Sequence, residues 1–559
     1  VILDLRVIRG IDQASRERRS PQQRDNLDFL FFLEAIDEST GTDIRSAKMF
    51  DHLGTTDDAS PVLKIGHRRH RPHARTRFVQ DPADSNSHSV ILPLIRLLPV
   101  LCSPISFPDT IASPPFATDF VSNPMTHRPP VGLTRPTILL LATLVGPLTG
   151  TAQAADWPHW RGPARSGVIS EDSGFDRGAW PPKKPAWTAD LGLSGSAPIV
   201  VAGRLYTMGW KDDREWVYCL EAASGKRLWT RSYPCPLYGR KSEGDKGLYS
   251  GPSSCPSFDK RTGYLFTLST DGDLNCWDTR KSGHHVWGLN FYATYDVAQR
   301  PLVGRRRLRD YGYTTAPLVY GDWVIVEVGD DEGNLMAFST KTGQRVWTSQ
   351  SKQPAGHSGG LAPLTVEGIP CVAVLTIRNL LVARLDKGHE GQTLATFPWI
   401  TDFANNIATP VIDGQSVVIT SAYNKYSVVR LEVSRKGIRQ LWKAPYAADA
   451  CSPVLHQGRL YLIRQGLCCL DYRTGKLIWR APGFGLTASC VVTSDHRLII
   501  WANRGDLVLV ESSGKSPKAY KQLARKSRLM KSDAWPHLVL SDQRLFCKDW
   551  NGVLMCFKL

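Results

Sequence analysis

Between Ser196 and Leu559 the chain restates one theme about eight times: a short apolar run opened by a small residue and proline, two further strand-like runs, then Gly-x-x-x-Trp. A repeat of this length constrains the fold more than any single motif, because each copy is one supersecondary unit that cannot bury its apolar faces alone. Copies end at Trp229, Trp287, Trp347, Trp399, Trp442 and Trp479; a seventh carries Tyr520 where the tryptophan is expected, and the eighth stops after its third strand. Within each copy, alternating β-branched runs are divided by Asp-Gly, Asn-Gly or Thr-Gly turns, the pattern of strands joined as hairpins. Four-stranded sheets packed face to face around an axis cover both faces of every sheet. The expected fold is therefore all-β, an eight-bladed β-propeller of four-stranded antiparallel blades. PPKKPAWTADLG, containing Trp187, precedes the first copy and matches the strand that the eighth copy lacks, so this N-terminal strand is expected to close the ring. Treating the loose fourth copy as an insertion gives seven blades as the alternative.

Ahead of the repeats, MTHRPPVGLTRPTILLLATLVGPLTGTAQAADW has a basic start, an apolar stretch from Thr137 to Leu148, and a small-x-small end at Ala152 and Ala154. That is the pattern of a secretory signal peptide over 125–154, which places the mature protein in the periplasm or outside the cell. Residues 1–124 lack periodicity and are expected to be disordered or an over-extended gene start. Residues 155–184 form a lead segment, and 185–559 the propeller. No transmembrane helix is expected in the mature protein, and a monomer is expected.

The net charge of +17 is not spread evenly: residues 1–124 hold 15 basic against 16 acidic side chains, so the excess lies in the remainder. No long basic run and no aromatic-interleaved arginine patch occurs, so nucleic acid is not an expected partner. Cys219, Cys276, Cys469 and Cys556 fall at one repeat position, where the third copy has Ala337; a site shared by Cys and Ala is a small packing site. Cys235 and Cys255 lie in one long interblade loop and form the disulfide candidate in an exported chain. GHSGG, from Gly356 to Gly360, matches the Gly-x-Ser-x-Gly of hydrolases but leads into a strand pair rather than a helix, which argues against a nucleophilic Ser358.

LDYRTGKLIW, from Leu470 to Trp479, and the looser LEAASGKRLW and FSTKTGQRVW resemble the repeat of pyrroloquinoline-quinone (PQQ)-like propellers, also called quinoprotein alcohol dehydrogenase-like. The resemblance covers residues 185–559, and DWPHWRGPARSG, from Asp156 to Gly167, is similar to the opening of exported members. It implies one of two functions: an exported scaffold that binds a ligand or protein, or a PQQ-dependent dehydrogenase oxidising an alcohol or sugar. The second implies PQQ with Ca2+, a cation held by Glu, Asn and Asp, an Asp base, and a disulfide of adjacent cysteines over the quinone. Cys468 and Cys469 are adjacent, but they fall inside a strand, where successive side chains point to opposite faces.

Ligand-site candidates come from the connections that lead into each blade's inner strand, which reach the channel rim of a propeller. These are Tyr313, His357, Asp402, Asn405, Asn406 and Asp449, with Asn406 and Asp449 as hard-cation candidates. Two long loops on the same face, 231–253 and 288–313, are expected to carry partner contacts, the second through Arg300, Arg305, Arg306, Arg307 and Arg309.

Overall fold

The structure is a computed structural model that describes residues 156–236, 251–297, 312–401 and 406–559, together with the backbone of three strands nearer the N-terminus. The chain divides into two units, Val1–Pro136 and Thr137–Leu559. In the first, Arg6–Gly10, Leu30–Asp37 and Thr42–Lys48 form a three-stranded antiparallel sheet. The remainder of 1–124 and the signal-like stretch 125–154 lie outside the described residues.

The second unit contains eight four-stranded antiparallel sheets, each with its strands in sequence order except the last. In blade 1, Ile199–Val201, Arg204–Lys211, Arg214–Glu221 and Arg227–Pro234 run from a fully buried inner strand to a partly exposed outer one. Inner strands of successive blades touch, as Ser257–Asp259 touches Leu318–Tyr320 and Val454–His456 touches Ala488–Val492. Hydroxyl bonds between neighbouring blades reinforce this belt, made by small polar residues just ahead of several inner strands. Ser254 Oγ donates to the Thr315 carbonyl at 3.1 Å, Thr315 Oγ1 to the Ser358 carbonyl at 3.1 Å, and the Thr409 amide to Ser452 Oγ at 3.0 Å.

Blade 8 is built from both ends of the propeller. Val539–Ser541, Arg544–Lys548 and Val553–Lys558 come from the C-terminal end, and Trp187–Asp190 adds the outer strand, with Trp187 opposite Cys556 and Asp190 opposite Val553. The closure and the eight-blade count both follow the repeat. Lys548 ties the seam: buried, it donates to the Ser196 and Met208 carbonyls of blade 1 at 3.1 and 2.7 Å and to Thr207 Oγ1 at 3.2 Å.

The recurring tryptophan does two things. Across its own sheet it faces a small residue beside a β-bulge, as Trp229 faces Cys219, Trp287 faces Cys276, Trp347 faces Ala337 and Trp479 faces Cys469. In these blades the bulky ring lies against a short, buried partner, so Cys and Ala share the position; in blade 5 the residue opposite Trp442 is Arg430. Across the blade gap, the same ring covers the turn glycine of the next blade: a Cβ on Gly225 would stand 2.6 Å from Trp187, and one on Gly343 2.6 Å from Trp287. Two copies differ from the sequence alignment. In blade 4 the position opposite Val382 is Ala395, with Trp399 beyond the strand; in blade 7 the position opposite Leu509 is Ala524, not Tyr520. Tyr520 instead packs its ring 5.6 Å from Trp479 of blade 6.

Candidate functional site

The face where the chain enters each inner strand, here called the upper face, also carries the turns between second and third strands. The lead segment determines what lies between the two faces. Asp156 begins at the lower rim, accepting from the Ala202 amide at 2.8 Å and pairing with Lys260 at 2.7 Å. Trp157 then pairs as a bridge with Val200, and the Pro158 carbonyl accepts from the Phe258 amide, so the peptide climbs the channel along blades 1 and 2. At its apex Trp160 Nε1 donates to Thr409 Oγ1 of the blade 5 approach at 2.9 Å. Arg161 donates to the Pro453 carbonyl and, at 2.9 Å, to the Ser166 carbonyl, closing a turn that returns the peptide to Val168, paired with Val492 of blade 7. His537, buried beneath, packs edge-on to Trp160 at 5.3 Å between ring centroids; burial lowers its pKa to about 4, which keeps it neutral.

Trp160 is thus the floor of a small pocket at the upper mouth of the channel. Around it stand His357, Thr314, Ser253 and Tyr423, and a T-shaped pair of indoles, Trp535 and Trp550, whose centroids are 5.2 Å apart. The pocket holds about 60 Å³. Three indoles around one small opening present flat apolar faces with polar groups at the edge, the composition of a site for a ring or an extended side chain.

The rim residues expected from sequence distribute unevenly. His357 lines the pocket. Tyr313 does not reach it: its ring is buried against Phe291 at 5.1 Å, and its hydroxyl donates to the Val328 carbonyl at 3.0 Å. Asn406 is buried and staples its loop, with Nδ2 donating to the carbonyls of Thr376 at 2.6 Å and Trp399 at 3.0 Å. Asp449 accepts from Arg464 Nε at 2.8 Å, and burial raises its pKa despite that partner. Asp402, Asn405, the five loop arginines and most of both long loops lie outside the described residues. Among the described residues no group of three or more His, Cys, Asp or Glu side chains is placed to hold a metal ion. The bonds just named leave one oxygen of each side chain, Asn406 Oδ1 and Asp449 Oδ1, buried without a hydrogen-bond partner.

Cys235 and Cys255 are not joined. Both are buried thiols with separate surroundings: Cys235 Sγ lies 3.5 Å from Glu215 Oε1, and Cys255 Sγ lies 3.4 Å from the Ala197 carbonyl. Cys468 and Cys469 are also free and face opposite sides of their strand, one toward blade 5 and the other toward blade 7. Ser358 is buried, and its carbonyl accepts from Thr314 and Thr315 while a strand, Ala362–Val366, follows; nothing there forms a nucleophile elbow.

Nothing in the repeat itself marks Trp160, Trp535, Trp550 or Tyr423. The usable signal was negative: Trp160, Trp535 and Trp550 are tryptophans that do not occupy the blade-ending position.

Comparison with known proteins bears on the fold. Solved structures with similar folds include BamB from Moraxella catarrhalis, with 12% identity over 67% of this chain and 99% of that one at a TM-score of 0.47. The quinohemoprotein alcohol dehydrogenase from Comamonas testosteroni has 13% identity over 72% and 80% at a TM-score of 0.49. Sqt1 from Saccharomyces cerevisiae has 10% identity over 66% and 96% at a TM-score of 0.44. No curated protein matches the chain. Residues 213–481, from the middle turn of blade 1 through the last strand of blade 6, match the family model described as outer membrane protein assembly factor BamB. At the level of the domain, the eight-bladed ring is a PQQ-like β-propeller, matched by that family model over residues 213–481.

Proposed function

We propose that this protein is an exported, non-catalytic binding propeller that takes a side chain or ring of a partner into the upper mouth of its channel. The observation that carries this reading is the size and lining of that mouth. About 60 Å³ bounded by Trp160, Trp535, Trp550 and His357 suits one protruding aromatic or aliphatic group. A site that engulfs a whole cofactor typically offers about 300–1,000 Å³. Trp160, held from below by Thr409 and His537, makes the floor rigid, which lowers the ordering cost of binding. Export rests on the signal-like stretch 125–154; among the described residues no helix is long and apolar enough to cross a membrane.

The test is a titration of the purified mature protein with PQQ and Ca2+, followed by indole emission and dye-linked alcohol oxidation. No saturable change and no oxidation is the expected result. Tight quinone binding accompanied by alcohol oxidation would overturn the proposal in favour of a dehydrogenase. In parallel, Trp550→Ala is expected to weaken capture of the protein's binding partner from an envelope extract at least tenfold without altering the unfolding midpoint by more than a few degrees.

A further inference from the structure

The channel has a second, larger space on the other side of the lead segment. Because that peptide hugs blades 1 and 2 on its way up and blade 7 on its way down, the lower channel stays open beside blades 4 to 6. A cavity of about 690 Å³ remains there, within the range of small-molecule sites. Its inner wall is the lead peptide itself, with Arg161, Arg165 and Ser166; its outer wall includes Asp413, His456 and Gln457 from the lower turns of blades 5 and 6.

The two arginines differ in how they are satisfied. Arg161 is 2% exposed and uses one terminal nitrogen to hold the lead turn, while its Nε is buried without a hydrogen-bond partner. Arg165 is half-buried, and among the described residues it forms no ion pair and no side-chain hydrogen bond. Burial lowers its pKa to about 10, and the thiol of Cys255 is the one group offsetting that. His159, beside it in the same turn, is driven neutral by burial and by Arg165, its pKa lowered to about 3, so it adds no charge. His456 is likewise lowered, by burial and by His496, whose Nδ1 lies 3.3 Å from its Nε2. The cavity therefore has a cationic wall and, opposite, a wall of hydrogen-bonding groups with one carboxylate, Asp413. A guanidinium that lines a cavity without a carboxylate partner can take a bound anion through a two-point contact matched to a carboxylate.

We infer that the lower channel is a binding site for a small hydroxylated carboxylate, such as a sugar acid, whose carboxylate meets Arg165 and whose hydroxyls meet Asp413, His456 and Gln457. The site is separate from the upper mouth and does not depend on what that mouth binds.

Calorimetric titration of the mature protein with D-glucuronate tests this, with D-glucose and inorganic phosphate as comparison probes. Saturable glucuronate binding is expected, weakened at least tenfold in Arg165→Met and by less in Arg165→Lys. Arg439→Met, which removes an equal charge from the outer strand of blade 5, should leave it unchanged. Because the Arg165 side chain makes no hydrogen bond or ion pair among the described residues, denaturant midpoints of its variants should match the parent and separate lost binding from lost folding. Absence of saturable binding, equal affinity in Arg165→Met, or phosphate binding as tightly as glucuronate would each overturn the assignment.

Discussion

Glu215 shows how strongly one side chain in this ring is set by its surroundings. It sits on the third strand of blade 1 with no exposure, accepting from Tyr233 Oη at 2.8 Å and from the Thr270 amide of blade 2 at 3.0 Å. Burial raises its pKa from an ordinary 4.5 to about 8, with Asp271 and Asp273 adding to the rise. The folded state therefore holds a proton that the unfolded chain releases. The stability this contributes is complete below about pH 4.5 and is lost as the pH climbs through about 8. Urea unfolding at a series of pH values should show a decline on the order of 4 kcal/mol from this group. Glu215→Gln should flatten that decline and raise stability at pH 8, and an unchanged slope in the variant would rule out Glu215 as its source. Nothing in the sequence marks Glu215, since its burial depends on blade 2 and on a strand partner from its own blade. The neighbouring small residue Cys219 was legible, because the repeat itself compares it with Ala337.

At the scale of the blade, the Gly-x-x-x-Trp unit is a two-sheet device, and its glycine matters as much as its tryptophan. Gly225 has φ +73° and the Trp187 ring directly above it, so a methyl there meets both backbone strain and a ring that blade 8 holds in place. Gly225→Ala should cost about 3 kcal/mol. Gly414→Ala, at φ +59° with nothing within 4 Å, should cost only about 1 kcal/mol. Paired denaturant melts measure the difference; equal costs would show that the indole contact contributes little to closure. Blade number, strand order and the closing strand were all readable from the repeat, because hairpins are local and their turn residues are explicit. The true equivalents in blades 4 and 7, Ala395 and Ala524, were not. Where the tryptophan is replaced by alanine, only the bulge in the backbone pairing locates the position, and spacing from the turn then misleads.

For the whole molecule, the lead segment changes the ring from a tube into a closed vessel with a shallow upper mouth and a deeper lower cavity. Its position was illegible beforehand: bonds such as Trp160 to Thr409 and Arg161 to Pro453 join residues 249 and 292 positions apart, and no local pattern encodes them. Replacing Trp157 and Trp160 together by Ala should leave the sheets intact yet lower stability by roughly 3–5 kcal/mol. Hydrogen exchange gives the sharper reading. The amides of Val200 and Val492 donate to the Trp157 and Gly167 carbonyls, so both should lose protection in the double variant while inter-strand amides of blade 3 keep theirs. Unaltered protection at both amides would mean that the peptide stays docked without its indoles.

The composite eighth blade also fixes an order of events in time. Residues 156–190 are synthesised hundreds of residues before Val553–Lys558, yet the strand at Trp187 has no sheet to join until that last strand exists. Throughout synthesis the first strand of the propeller waits as an unpaired edge, the state most open to pairing with another chain. A chain halted anywhere before Val553 would therefore carry a ring that cannot shut, so the fold reports its own completion.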